Sequence, residues 1–305
     1  MNPATICGNV LTLSEILRYT REKGYAVGAF SPRYTAMIRP ILRAGQKLAS
    51  PLIVQISQKE LKKYNVDIYK FAQEFYTVIL EENVRVPVTL HLDHTKDFDV
   101  IKQAIEANFT SVMIDASDKS LADNIAITKK VVEYAHERGV SVEAELGRIG
   151  TTDFVETNFD EQLYTDPQEA AIFVEETGVD ALAVAVGTAH GPYVDRKPKI
   201  DYQRLFEIKV AVSVPLVLHG ASGIPSEMIR KAISQGGVSK INFATDLEAA
   251  LLAALGYTAP LTDEKIRELE VNELQKGAEA VERVVECKIA EFLGSQNHAF
   301  DFVII

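Results

Sequence analysis

Basic residues are in short supply in this sequence. Thirty-two lysines and arginines stand against 43 aspartates and glutamates, a formal net charge of -11. That balance excludes a general nucleic-acid binder, because phosphates call for a basic surface. An anionic small molecule would have to be held by a local pocket, against the overall field. Cysteine is scarcer still: Cys7 and Cys287 are far apart and form neither a disulfide framework nor a paired-cysteine metal motif, which suits a reducing compartment. No apolar run reaches the roughly 18 residues that a membrane helix needs, and Met1 to Val10 lack the pattern of a secretion signal. The expectation is a soluble, cytoplasmic protein with neither a membrane nor a nucleic-acid partner. Linkers and low-complexity stretches are missing too, so residues 1–305 are expected to form one domain. A content of 47% hydrophobic and 25% charged residues is ordinary for a globular chain.

What is present is alternation. Short β-rich runs recur at 25–30, 51–57, 86–93, 111–117, 141–147, 181–187, 215–220 and 240–245. Several are almost wholly apolar, as a parallel sheet buried on both faces requires. Helix-period segments separate them. Pro167 to Thr177 is one, with Asp166 as N-cap, proline in the first turn and Gly178 after the last. Eight such units over about 250 residues predict a (β/α)8 barrel rather than an open doubly wound sheet. Residues 12–23 predict an extra N-terminal helix, and 262–293 a C-terminal helical extension.

Four of the six histidines fall at or near strand C-termini, where barrels keep their chemistry: His91, His94, His190 and His219. One strand-end histidine is usually structural, but several at one rim describe a metal site with an open coordination position. Acidic residues gather there as well. Asp93 adjoins His94 and is a candidate for proton transfer. Asp115 and Glu143 are expected to be supporting carboxylates, and Glu143 and Glu145 share one strand face. After the seventh strand comes Gly220-Ala221-Ser222-Gly223, and after the eighth Asn242-Phe243-Ala244-Thr245 opens a helix. Small residues and a helix N-terminus at these two loops suit a phosphate. No strand-end lysine is placed for a Schiff base, Lys240 being expected to begin its strand.

The runs LHLDH (90–94), MIDAS (113–117), VEAELG (142–147), LYTDP (163–167), GVDALAVAVGTAHG (178–191), PLVLHGASG (215–223) and KINFATDL (240–247) occur in this order. Together they make the chain resemble the class II, zinc-dependent ketose-bisphosphate aldolases of the tagatose- and fructose-bisphosphate type. The resemblance implies that His94, His190 and His219 bind Zn2+, with Glu145 near an alternative metal position and His91 and Asp115 around it. It implies that Asp93 handles the proton at the aldehyde-derived hydroxyl. Gly191, Gly220, Ser222, Asn242 and Thr245 would hold the ketose 1-phosphate, assisted by a monovalent cation, Na+ or K+. The implied reaction is reversible cleavage of a phosphorylated ketose to dihydroxyacetone phosphate and an aldehyde, by a homodimer or homotetramer.

The departures cluster where substrate is handled. The family's asparagine after Ala29-Phe30 is replaced by Ser31-Pro32-Arg33, and its small segment after the second strand by Ser57-Gln58-Lys59-Glu60. By position, Ser31 and Ser57 are the substrate-contact candidates. The family's Gly-Gly loop with its proton-shuttling glutamate is shorter here, leaving Asp153 or Glu156 as substitutes. Ala278 stands where the family places an arginine for the distal phosphate, and Arg33 and Lys59 are cations that could replace it or simply be solvated. Two further readings stay open: the same reaction with an atypical aldehyde, or a metal- or sugar-phosphate-binding relative without catalysis.

Overall fold

A computed structural model describes residues 7–151, 163–191, 193 and 197–302. Eight parallel strands close on themselves: β1 (Val27–Phe30), β2 (Leu52–Ser57), β3 (Val88–Thr95), β4 (Ser111–Ile114), β5 (Ser141–Leu146), β6 (Ala181–Val184), β7 (Leu216–Leu218) and β8 (Val238–Phe243), in the order β1-β8-β7-β6-β5-β4-β3-β2. Helices lie between them, so the architecture is the expected (β/α)8 barrel.

Alternation along each strand divides the apolar residues into two layers. Leu90 and Leu92 of β3, Ile241 and Phe243 of β8, and Leu216 and Leu218 of β7 face outward into the main core beneath the helices. Val27 and Ala29, Ile53, Met113, Ala181, Ala183 and Val217 face inward. This inner plug is closed from below by Leu13, Ile16 and Leu17, all at most 1% exposed. Leu13 and Ile16 belong to the helix α1 (Leu13–Ile16), started by a capping box between Thr12 and Glu15, and Leu17 is the residue that ends it. The predicted N-terminal helix is broken: a turn at Leu17 to Tyr19 separates α1 from α2 (Thr20–Lys23), and Gly24 in the left-handed region ends it.

The remaining helices are α3 (Ile38–Lys47), α4 (Gln58–Lys63), α5 (Ile68–Glu81), α6 (Phe98–Glu106), α7 (Leu121–His136), α8 (Pro167–Thr177), α9 (Tyr202–Ala211), α10 (Ser226–Ser234), α11 (Thr245–Leu255), α12 (Asp263–Arg267) and α13 (Val271–Cys287). α8 has the predicted cap, with the Asp166 side chain accepting from the Gln168 and Glu169 amides and Gly178 at φ 69°. The C-terminal extension is not one helix. It is α12, then α13, whose last turn widens into a π-helix over Lys288–Leu293 before Gly294 stops it. The eighth strand also differs from the expectation. It begins at Val238, so Lys240 lies within it and Thr245 opens α11. Lysine looks like a boundary in a sequence, but here its ammonium is neutralised inside the barrel.

Candidate metal centre and substrate pocket

The strand ends bring the predicted histidines together. His91 and Asp93 follow the inward phase of β3 and His94 should face out. The register against β4 slips between Leu92 and Thr95, and an irregularity of this kind re-aims side chains. His94 thus turns to the barrel mouth, where its Nε2 lies 3.2 Å from His190 Nε2 and 2.6 Å from His219 Nδ1. His190 reaches the mouth on a two-residue strand, Ala189–His190, that pairs with Gly150–Thr151. The three imidazoles form one group of ligand atoms able to hold a metal ion, and His94, Asp115 and Glu145 form a second around the same histidine.

Carboxylates behind the rings set the tautomers. Asp115 Oδ2 lies 3.2 Å from His94 Nδ1, and Glu143 Oε1 lies 2.8 Å from His219 Nε2. Each carboxylate can only accept while ionised, so the nitrogen facing it carries the hydrogen. The opposite nitrogens, His94 Nε2 and His219 Nδ1, then turn lone pairs toward each other, a pairing that a cation resolves.

Positive charge is what that position demands, and a second proton on His94, placed at Nε2, supplies it. Burial, followed by the charge of His94, pushes His190 down to about 3, and burial also holds His219 well below the usual histidine range. Burial opposes a charge on His94 too, but Asp93, Asp115 and Glu145 outweigh it and raise the ring to about 10. Burial raises Glu145 to about 8, and its Oε2 has no hydrogen-bond partner. Asp115 is half-buried, yet the hydrogen bond and charge of His94 hold it below the usual carboxylate range. A site that draws one proton onto three crowded imidazoles and leaves a buried carboxylate oxygen unpaired fits a metal cation.

Beneath the histidines the interior stays polar. His91 is fully buried, and Ser111 Oγ sits 2.8 Å from its Nδ1. Its Nε2 is 3.5 Å from Glu143 Oε2, so His91 supports the centre and does not join the three. Asn242 Nδ2 donates to Asp93 Oδ1 at 3.0 Å, and Lys240 Nζ donates to Asn242 Oδ1 at 2.8 Å. Lys240 also pairs with Glu143 Oε2 at 2.9 Å. The sequence expectation placed Asn242 at the phosphate; in the fold both ends of its amide are engaged with Asp93 and Lys240. A lysine and an asparagine two apart in a buried strand were the available signal for this link.

Of the predicted phosphate residues, Gly191 follows His190, and Gly220 and Ser222 follow His219. Gly220 has φ 68°, and a Cβ there would come within 2.4 Å of the Ala189 carbonyl oxygen, so glycine alone lets the two loops meet. Gly191 has φ 112° and Ser222 is buried. Thr245 opens α11, whose N-cap, Ala244, offers no side-chain hydrogen bond. The N-cap side chain therefore satisfies none of the first-turn amides of that helix.

Other candidates are occupied differently. Ser31 Oγ donates to Glu60 Oε2 at 2.8 Å, and Ser57 caps α4 through the same Glu60. Arg33 is no solvated cation: at φ 62° it pairs with Glu60 Oε1 at 3.0 Å and with Glu248 Oε2. Lys59 is exposed and close enough for its charge to lower His190. Ala278 is half-buried on α13. Asp153 and Glu156 lie outside the described residues. His136 pairs with Asp180 and His298 with Asp301, away from the mouth.

Known proteins resemble the chain along nearly its whole length. Residues 11–298 match a family described as fructose-bisphosphate aldolase class-II. A fructose-bisphosphate aldolase of Staphylococcus aureus (strain COL) is 40% identical over 294 residues, which is 95% of this chain and 99% of that protein. One from Thermus caldophilus is 38% identical over 313 residues, covering 95% and 100%. The crystal structure of the YdjI aldolase from Escherichia coli K12 superposes with a TM-score of 0.80 at 31% identity, over 95% of this chain and 99% of that one.

Proposed function

The chain belongs to the class-II fructose-bisphosphate aldolase family, and from that premise we propose how its site works. It is a metal-dependent carbon–carbon lyase of sugar phosphates, cleaving a phosphorylated ketose reversibly to dihydroxyacetone phosphate and an aldehyde. Our reading assigns Zn2+ as the metal, His94, His190 and His219 as its ligands, and Glu145 as a further carboxylate within reach. The observation that carries it is the meeting of three imidazole nitrogens at 2.6 and 3.2 Å, with carboxylates behind two of the rings. Three neutral nitrogen ligands suit catalytic zinc. When bound, the ion supplies Lewis-acid stabilisation of the negative charge that develops at the ketose carbonyl.

The protein's own groups do the rest. Asp93 takes the proton of the C4 hydroxyl as the C3–C4 bond breaks, and C4 leaves as the aldehyde carbon. The electron pair of the broken bond moves toward C2, and a proton delivered to C3 completes dihydroxyacetone phosphate. Asp153 or Glu156 would deliver it. Asn242 holds Asp93 Oδ1, which leaves Oδ2 for the substrate. Gly191, Gly220, Ser222, Thr245 and the first amides of α11 would bind the 1-phosphate, next to a monovalent cation (Na+ or K+). We further assign the chain one domain, a dimeric or tetrameric assembly and a cytoplasmic setting, all in keeping with the family. A role without catalysis is disfavoured, because a binding protein needs no dedicated amide holding an acid at the mouth.

The test is release of dihydroxyacetone phosphate from a panel of ketose mono- and bisphosphates. Cleavage of at least one by zinc-loaded protein supports the reading, and cleavage of none overturns it. A second reading, an atypical aldehyde, is favoured by the engagement of Arg33 with Glu60 and Glu248. Ser31 and Ser57, also tied to Glu60, would then shape the pocket wall, with Lys59 left as the cation for a distal charge. Similar rates on 1-phosphates and 1,6-bisphosphates support this reading, whereas a large preference for the bisphosphate excludes it.

A further inference from the structure

The interior layer below the histidines contains an ammonium that the reaction above does not use. Lys240 is 0% exposed, and barrel interiors are normally filled by branched apolar side chains. A charge pair in such a place is no better for stability than a well-packed apolar substitute. Its distinctive consequence is orientation. An asparagine side chain flipped by 180° keeps its shape and exchanges its oxygen for its nitrogen. Only a neighbour of fixed polarity selects between the two. Lysine donates and never accepts, so Lys240 Nζ, 2.8 Å away, obliges the Asn242 oxygen to face it. The amide nitrogen is then the end that meets Asp93 Oδ1, at 3.0 Å. The Asp93 carboxylate, which only accepts, asks for the same orientation; the flipped amide would set its oxygen against that carboxylate and its nitrogen against the ammonium, so the lysine doubles the selection. Lys240 and Asn242 are two apart on β8 and share its inner face, while Asp93 reaches them from β3, 149 positions away. Glu143, 2.9 Å from Nζ, balances the ammonium.

We propose that Lys240 is a positioning residue: it selects the orientation of the Asn242 amide and through it holds the Asp93 carboxylate in place for proton transfer. The proposal rests on the aldolase reading for the role of Asp93, but the chain of contacts stands by itself. Lysine is not the nucleophile here, since both its polar contacts hold it inside the barrel.

The test is a double-mutant comparison with Lys240→Met, which keeps the length of the side chain and loses the donor. In the wild-type background it should lower kcat about 100-fold, the effect of moving a reacting group by ~1 Å. In an Asn242→Ala background the same substitution should change kcat by no more than about twofold, because the residue it acts through is gone. An equal loss in both backgrounds would mean a merely structural role and overturns the proposal. So does an unchanged kcat in the single variant. Should Lys240→Met leave Glu143 uncompensated and fail to fold, the comparison is repeated on a Glu143→Gln background. A crystal structure of Lys240→Met gives a readout independent of turnover. Displacement of the Asn242 amide from Asp93 is expected, and an unmoved amide contradicts the proposal. That result still decides the matter if the wild-type protein cleaves no ketose phosphate, an outcome that sinks the aldolase reading alone.

Discussion

Asp93 and Arg33 lie at the same rim and do opposite kinds of work. Asp93 has one oxygen anchored by Asn242, and its conversion to asparagine removes a base while keeping the shape. We expect kcat to fall by about 10²–10⁴-fold, the usual size of a general-base contribution. Metal content, measured by atomic absorption, should be unchanged; loss of the metal along with the rate would mean that Asp93 serves the metal centre instead. Arg33 is 14% exposed at its side chain and lies between Glu60 and Glu248. Replacing it with alanine strands two partly buried carboxylates and should cost about 3 kcal/mol of stability in denaturant unfolding. A cost near zero would return Arg33 to the solvated surface. The sequence shows that Arg33 is a cation near the mouth. It cannot show the partners, which are 27 and 215 positions away. The histidines were legible for the opposite reason: each sits at a strand end, and the barrel topology alone brings strand ends together.

Among the elements, the strands were readable to within a few residues because their outward faces are uniformly apolar. The eighth was misplaced because Lys240 points inward to a glutamate on another strand. The α1 helix does a job that helix periodicity does not reveal, namely closing the barrel floor. Leu13→Ala should cost about 3 kcal/mol, typical of a fully buried leucine, with kcat unaltered, since the floor and the mouth lie at opposite ends of the strands. A matching loss of kcat would mean that the floor is coupled to the site. A second tie joins α3 to the C-terminal end of α5, where Arg39 and Arg43 meet Glu82. Their hydrogen bonds, Arg43 first, outweigh burial and lower Glu82 from 4.5 to about 2. A depressed carboxylate stabilises the fold above its unfolded value and loses that contribution as pH falls through the folded one. Glu82→Gln should therefore flatten the stability curve between about pH 4.5 and 2, by no more than ~1 kcal/mol for a surface pair. An unchanged slope in acid titration of thermal stability would show that the tie contributes nothing.

For the molecule as a whole, the proposed metal centre lies at the mouth, while the apolar plug and the outer core are built from side chains elsewhere. Chelation should accordingly abolish turnover and leave the far-ultraviolet circular dichroism in place. With an overall charge of -11 there is no broad basic field to gather an anionic substrate, so it would have to be held by local groups, as in the proposed 1-phosphate site. The fold and the meeting of the three histidines could be read because they depend on residue type and order along the chain. The distal end of the pocket could not, because which charges remain free there is decided by tertiary pairing, as Glu60 and Glu248 do for Arg33. The most direct test of the central claim is release of dihydroxyacetone phosphate from fructose 1,6-bisphosphate, followed on one preparation before chelation, after chelation and after zinc is returned. The account predicts activity that is lost with the metal, restored by zinc and indifferent to borohydride throughout. Cleavage that survives chelation and is quenched by borohydride would reveal a lysine Schiff base and contradict it.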